Sequence, residues 1–132
     1  MKGPIRVIIA DDHTMVRSGL RLFLMAFEDL KMVGEASNGL EAVRLSVQEK
    51  PDVVLMDLIM PGMDGIHATQ EIRSRLPKTQ VIGMTSFFEA GLIQDMLDAG
   101  AISFVMKNVS AADLAVAIRS TYAGKPSLSP EI

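Results

Sequence analysis

Short apolar runs alternate with amphipathic stretches along the whole chain. The runs fall at Ile5–Ala10, Met32–Ala36, Val53–Met56, Val81–Met84 and Ile102–Met106. Each has the length and β-branched or apolar content of a buried strand. Between them, apolar residues recur at helical spacing. A first helix is predicted over about 13–27, with Val16, Leu20, Phe23, Leu24 and Phe27 on one face. A second runs from about Gly39 to Glu49 and buries Ala42, Val43, Leu45 and, at its far end, Val47. A third follows Gly65 and carries Ile66, Ala68, Thr69, Ile72 and Leu76. A fourth spans about 89–99 and ends at Gly100. A fifth starts after Ser110, an N-cap with Asp113 three residues on, and runs to about Ala123, where Gly124 and Pro126 stop it.

Five strand–helix units of this length imply a parallel sheet covered by helices on both faces. Right-handed crossovers leave few strand orders. The expected fold is α/β, flavodoxin-like and doubly wound, with order 2-1-3-4-5. In such sheets ligands bind beyond the carboxyl ends of the strands, where the order reverses. Strands 1 and 3 flank that point. One domain over residues 1–124 is expected, with 125–132 (Lys-Pro-Ser-Leu-Ser-Pro-Glu-Ile) as the start of a linker to an output domain outside this chain. No internal repeat or low-complexity tract interrupts the pattern.

Composition narrows the class. At 132 residues and 48% hydrophobic content, the chain is long enough for one core and too apolar to be disordered. A net charge of −3 gives no electrostatic footprint for nucleic acid. The absence of cysteine rules out disulfides and thiolate metal sites. No apolar run approaches the roughly 18–20 residues of a membrane span. The Met1-Lys2-Gly3-Pro4 start lacks the apolar length of a signal peptide. A cytoplasmic location without membrane contact is expected.

The chemistry lies at the strand ends. Strand 1 runs into Asp11-Asp12, strand 3 into Asp57, strand 4 into Thr85-Ser86 and strand 5 into Lys107. Parallel strands bring these ends to one edge of the sheet. Carboxylates gathered at buried strand ends are costly unless a cation or a reaction needs them, and one lysine does not offset three. A hard divalent cation does, and Mg2+ fits because it needs few protein oxygens. Asp57 enters the Pro61-Gly62 turn directly from an apolar strand and is the candidate nucleophile, since a carboxylate can form an aspartyl-phosphate. Phosphoryl transfer needs little beyond in-line positioning and charge neutralisation.

Asp11-Asp12, then Asp57-Leu-Ile-Met-Pro-Gly-Met-Asp-Gly, Val81-Ile-Gly-Met-Thr-Ser and Phe104-Val-Met-Lys resemble the receiver domain of bacterial two-component response regulators over about residues 4–124. The resemblance implies that Asp57 accepts a phosphoryl group from a sensor histidine kinase. It implies Mg2+ on Asp12 and Asp57 side chains and the Ile59 backbone carbonyl, with Asp11 acting largely through water. Lys107 would pair with phosphoryl oxygens, and Thr85 would move to bond them. Phe104 would turn inward, and the small Ser86 would leave the group room. Asp11-Asp12-His13, Val33-Gly34-Glu35-Ala36 and Leu128-Ser129-Pro130-Glu131 are similar to the nitrate-response and quorum-sensing subfamily, which carries a helix-turn-helix output domain. DNA would then be met only through that domain. A stand-alone or hybrid-kinase receiver without DNA output is the alternative. Lys107 is followed by Asn108 where many receivers have proline, and the geometry of that peptide is left open.

Plainer roles compete with these. Asp11 and Asp12 can cap the first helix, and Asp57 can serve only a turn. Phe104 can be simple core, His13 can satisfy the helix start and His67 can lie on a helix surface. An aspartyl-phosphatase of the haloacid-dehalogenase type needs an acid–base carboxylate two residues after its nucleophile. Ile59 stands there instead, so an acceptor is expected and not a turnover enzyme. On the first helix, Met15, Leu22 and Ala26 form a second apolar stripe, with Met25 nearby. The fifth helix has Ala111, Ala112, Ala115 and Ala117. Homodimerisation through helix 1, helix 5 or both is expected from these faces.

Overall fold

The computed structural model describes residues 3–130. Five strands and five helices alternate: β1 (Ile5–Ala10), α1 (Thr14–Met25), β2 (Leu30–Ala36), α2 (Gly39–Glu49), β3 (Val53–Asp57), α3 (Gly65–Arg75), β4 (Gln80–Thr85), α4 (Ala90–Asp98), β5 (Ser103–Met106) and α5 (Ala111–Tyr122). The strands form one sheet of order β2-β1-β3-β4-β5, and every pairing is parallel. This is the flavodoxin-like doubly wound fold expected from the alternation.

Strand residues alternate between two cores, as the two-residue period of a pleated strand requires. Val7, Ile9, Leu55, Met84 and Val105 pack under α1 and α5, with Leu20, Leu24, Leu114 and Ile118. Ile8, Ala10, Val54, Met56, Val81 and Phe104 pack under α2, α3 and α4, with Val43, Ile72, Ile93 and Met96. Strand β3 is buried along its whole length and is the rigid floor beneath Asp57.

Several boundaries differ from the sequence reading. Helix α1 is shorter than 13–27, because Ala26 and Phe27 donate to Phe23 and Leu24, three residues back. That tighter turn ends the helix and leads the chain into β2. Val47 is 39% exposed at the outer edge of α2; Ser46 takes the inward position at the end of that helix. Ala115 and Ala117 are buried against the sheet, so they form no exposed α5 face. Ser110 caps α5 as expected, accepting from the Asp113 N–H at 3.1 Å. No peptide bond among the described residues is cis, so Lys107–Asn108 is trans. Within the segment read as the start of a linker, Leu128 pairs in parallel with Phe104 of β5.

Candidate functional site

The strand order reverses between β1 and β3, and the chain places its acidic residues there. Asp11 follows β1 and is fully buried; Asp57 ends β3 and is 5% exposed. One ligand atom each from Asp11, Asp12, His13 and Asp57 lies within 4.8 Å of all the others. Lys107 reaches across from the end of β5, with Nζ 2.7 Å from Asp11 Oδ2 and 3.2 Å from Asp57 Oδ2. The backbone aims that lysine, since its N–H donates to the Thr85 carbonyl at 2.7 Å.

Electrostatics at this edge follow from burial. Burial, and then the charge of Asp11, push the Asp57 pKa above its ordinary value of 3.8, while Lys107 works the other way. Burial alone would lower the pKa of Lys107. Its hydrogen bond to Asp11 and the charges of Asp57 and Asp11 outweigh that effect, so the ammonium is held charged. Asp12 Oδ1 is buried and makes no hydrogen bond, although the His13 ring Nδ1 stands 3.3 Å away. A buried carboxylate oxygen without a hydrogen bond, beside two further carboxylates, fits a cation that takes oxygen ligands.

The helix-cap reading of the acidic pair does not describe this geometry. Asp11 Oδ1 accepts from the His13 N–H at 2.8 Å, ahead of the helix, and His13 occupies the N-cap position without a side-chain cap bond. His13 therefore does not satisfy the helix start. Its ring turns back to Asp11 and Asp12, with Nδ1 3.1 and 3.3 Å from their Oδ1 atoms. Arg17 ties α1 to the same corner, donating to the Asp11 carbonyl at 2.6 Å. His67 lies on the surface of α3, as expected, and its ring meets Asp64 at 2.8 Å.

The remaining predicted residues line the rim. Thr85 is 7% exposed and its hydroxyl donates to the Phe87 carbonyl at 2.9 Å. Ser86 is exposed, as are the side chains of Ile59 and Phe87, two residues after Asp57 and Thr85. Phe104 is already fully buried, in the core under α4.

Two glycines, Gly65 and Gly83, shape the site through close approaches that pattern does not reveal. A Cβ on Gly65 would stand 1.9 Å from the Asp57 carbonyl, so only glycine lets α3 begin this close to the acceptor strand. The Gly65 N–H also donates to the Leu58 carbonyl at 2.8 Å, closing the loop after Asp57. A Cβ on Gly83 would stand 2.6 Å from the Phe104 ring, so Gly83 makes the niche that the ring fills. The Asp64-Gly65 pair was a visible turn signal; nothing local marks Gly83.

A family model described as the response regulator receiver domain matches residues 7–119, and the chain belongs to that family. Its relatives include a transcriptional regulatory protein and a response regulator by name. It is 47% identical over 97% of its length to the transcriptional regulatory protein LiaR of Bacillus subtilis, and 43% identical to the response regulator protein VraR of Staphylococcus epidermidis. The chain spans 61% of the length of each. Among solved structures, a LuxR-family two-component response regulator from Aurantimonas superposes with a TM-score of 0.92 at 34% identity, covering 98% of this chain and 93% of that one. The receiver domain of the putative response regulator NarL from Mycobacterium tuberculosis gives 0.89 at 32% identity, covering 94% and 100%. The chain is thus a receiver domain of phosphorylation-dependent signalling.

Proposed function

We propose that Asp57 accepts the phosphoryl group of a phosphohistidine on a sensor histidine kinase. One observation carries the reading: the buried Asp57 carboxylate meets Lys107 and two further aspartates at the strand-order reversal. An Asp57 oxygen attacks phosphorus in line, the P–N bond breaks, and the imidazole leaves with the bond's electron pair and takes up a proton. The side chains of Asp12 and Asp57 and the Ile59 carbonyl would hold Mg2+, with Asp11 behind them. When bound, Mg2+ supplies charge neutralisation for the phosphoryl oxygens. Lys107 exchanges its pairing with Asp11 for those oxygens. Thr85 gives up the Phe87 carbonyl to bond them, and exposed Ser86 leaves them space. Thr85 is the moving part; Phe104, expected to turn inward with it, is already held inward over Gly83.

Ile59 has no group that could orient an attacking water, which supports an acceptor that holds its phosphoryl group. The relatives' names and greater length support a DNA-binding output domain following residues 125–132, and a cytoplasmic transcriptional regulator. No described helix is long and apolar enough to cross a membrane. Exposed Met15, Leu22 and Met25 on α1, and exposed Val116 on α5, support pairing of activated copies through α1, α5 or both. Equal sedimentation of the resting and beryllofluoride-treated protein at tens of micromolar would argue against that pairing. The acceptor itself is tested with a small phosphodonor and Mg2+, mapping the label by mass spectrometry. An unlabelled Asp57, or undiminished labelling of Asp57→Asn, overturns the assignment.

A further inference from the structure

Strand β5 is the edge of the five-stranded sheet, yet its outer side is occupied. The Phe104 N–H donates to the Ser127 carbonyl at 3.0 Å, and the Ser129 N–H donates back to the Phe104 carbonyl at 3.0 Å. The Met106 N–H donates to Ser129 Oγ at 3.1 Å. Beneath the segment, Ser103 Oγ accepts from the Ser127 N–H at 2.9 Å and bonds Thr121 Oγ1 of α5 at 2.6 Å. Ser103 and Thr121 are both fully buried, so this anchor is built into the core. Proline at 126 and at 130 removes the donors on either side, which confines the added strand to three residues.

The same four-residue strand serves the acidic site. Lys107 directly follows Met106, and its ammonium is shared between Asp11 and Asp57. A phosphoryl group on Asp57 sets its oxygens beyond the present carboxylate position, toward the open edge. To reach them, Lys107 must leave Asp11, and Met106 is the next link of chain. This link is held on one side by the Lys107 N–H, which donates to the Thr85 carbonyl at 2.7 Å, and on the other by the Met106 N–H, which donates to Ser129 Oγ at 3.1 Å.

We propose that Ser127–Ser129 is a detachable sixth strand whose docking on β5 weakens when Asp57 is phosphorylated. The inference rests on Asp57 being the acceptor. Its reach is to whatever follows Pro130, because release of the strand frees the start of the linker. By linkage, the docked strand opposes phosphorylation to the same extent.

Amide hydrogen exchange on the 132-residue protein tests both halves. For docking, Ser129→Pro removes one ladder donor and the Oγ acceptor, while Leu128→Ala leaves both, since the Leu128 peptide groups face away from β5 in a parallel pair. Ser129→Pro is expected to speed exchange at Met106 by about tenfold, with Leu128→Ala unchanged. Slow Met106 exchange in Ser129→Pro would overturn the docked strand whatever Asp57 does. For coupling, intact mass first shows whether Asp57 carries the phosphoryl group. With the group present, Phe104 and Met106 are expected to exchange several-fold faster, and Ser129→Pro is expected to label faster than wild type. Labelled protein with unchanged exchange at both amides overturns the coupling and leaves the acceptor assignment standing. Failure of Asp57 to label overturns the acceptor and the coupling together, while the docking result stands by itself.

Discussion

Replacing the acceptor should make the resting protein more stable. Asp57 shares the site with Asp11 and Asp12 oxygens less than 4.8 Å away. At an effective dielectric of roughly 20, each such repulsion costs about 3–4 kcal/mol. Lys107, 3.2 Å from Asp57 Oδ2, returns about 5 kcal/mol on the same scale. The balance runs against an ionised Asp57 by about 2 kcal/mol before burial is added. Asp57→Asn keeps the shape, removes the charge and leaves Lys107 paired with Asp11. Its Tm in the presence of chelator at neutral pH should therefore rise by roughly 5–10 °C. The pH dependence has a definite sign. The folded pKa of Asp57 lies above its ordinary 3.8, so the folded state holds that proton more tightly than the unfolded chain does. Stability linked to the group is full below that ordinary value and is lost as pH rises through the folded one. The advantage of Asp57→Asn is thus widest near neutrality and closes toward about pH 4. Mg2+ at a hundred times its Kd should return about 2.7 kcal/mol to the wild type and less to the variant. Calorimetry or fluorescence-monitored melting across pH, with and without Mg2+, reads all of this. An Asn variant no more stable than wild type in chelator at neutral pH, or a gap that persists to pH 4, would refute the reasoning.

Three further outcomes are expected. Lys107→Met leaves fully buried Asp11 without its cation and should cost about 3–5 kcal/mol in denaturant unfolding, with part of the loss recovered in Lys107→Met/Asp57→Asn; a neutral effect would deny that the ammonium balances the site. Gly83→Ala puts a methyl where the Phe104 ring lies and should cost about 1–3 kcal/mol; if a solved structure of that variant still shows the ring buried and unshifted, Gly83 does not make the niche. Ile59→Asn supplies a group able to orient water at the mouth of the site, so the phosphorylated half-life should fall several-fold from wild type; an unchanged or longer half-life counts against the account of Ile59 as the side chain that leaves water unoriented.

The alternation of strand and helix was legible in the sequence because burial repeats locally. Val53–Met56 is apolar at every position since β3 is covered on both faces, and Ser110 with Asp113 marks the start of α5 without help from distant residues. The strand order followed from the connections, and with it the meeting of Asp11, Asp12, Asp57 and Lys107 at one edge. What pattern could not supply are close approaches between positions far apart in the chain. Gly83 is required by a ring twenty-one residues later, and Gly65 by the carbonyl of Asp57. His13 reads as a helix cap until the fold turns its ring toward two carboxylates. Ala115 and Ala117 read as a free face until the sheet covers them. The tail reads as the start of a linker, and only the fold shows Ser127–Ser129 lying along the outer edge of β5, with the buried pair Ser103 and Thr121 beside it. Sequence periodicity records which residues are buried; which distant neighbour buries them is decided by tertiary packing.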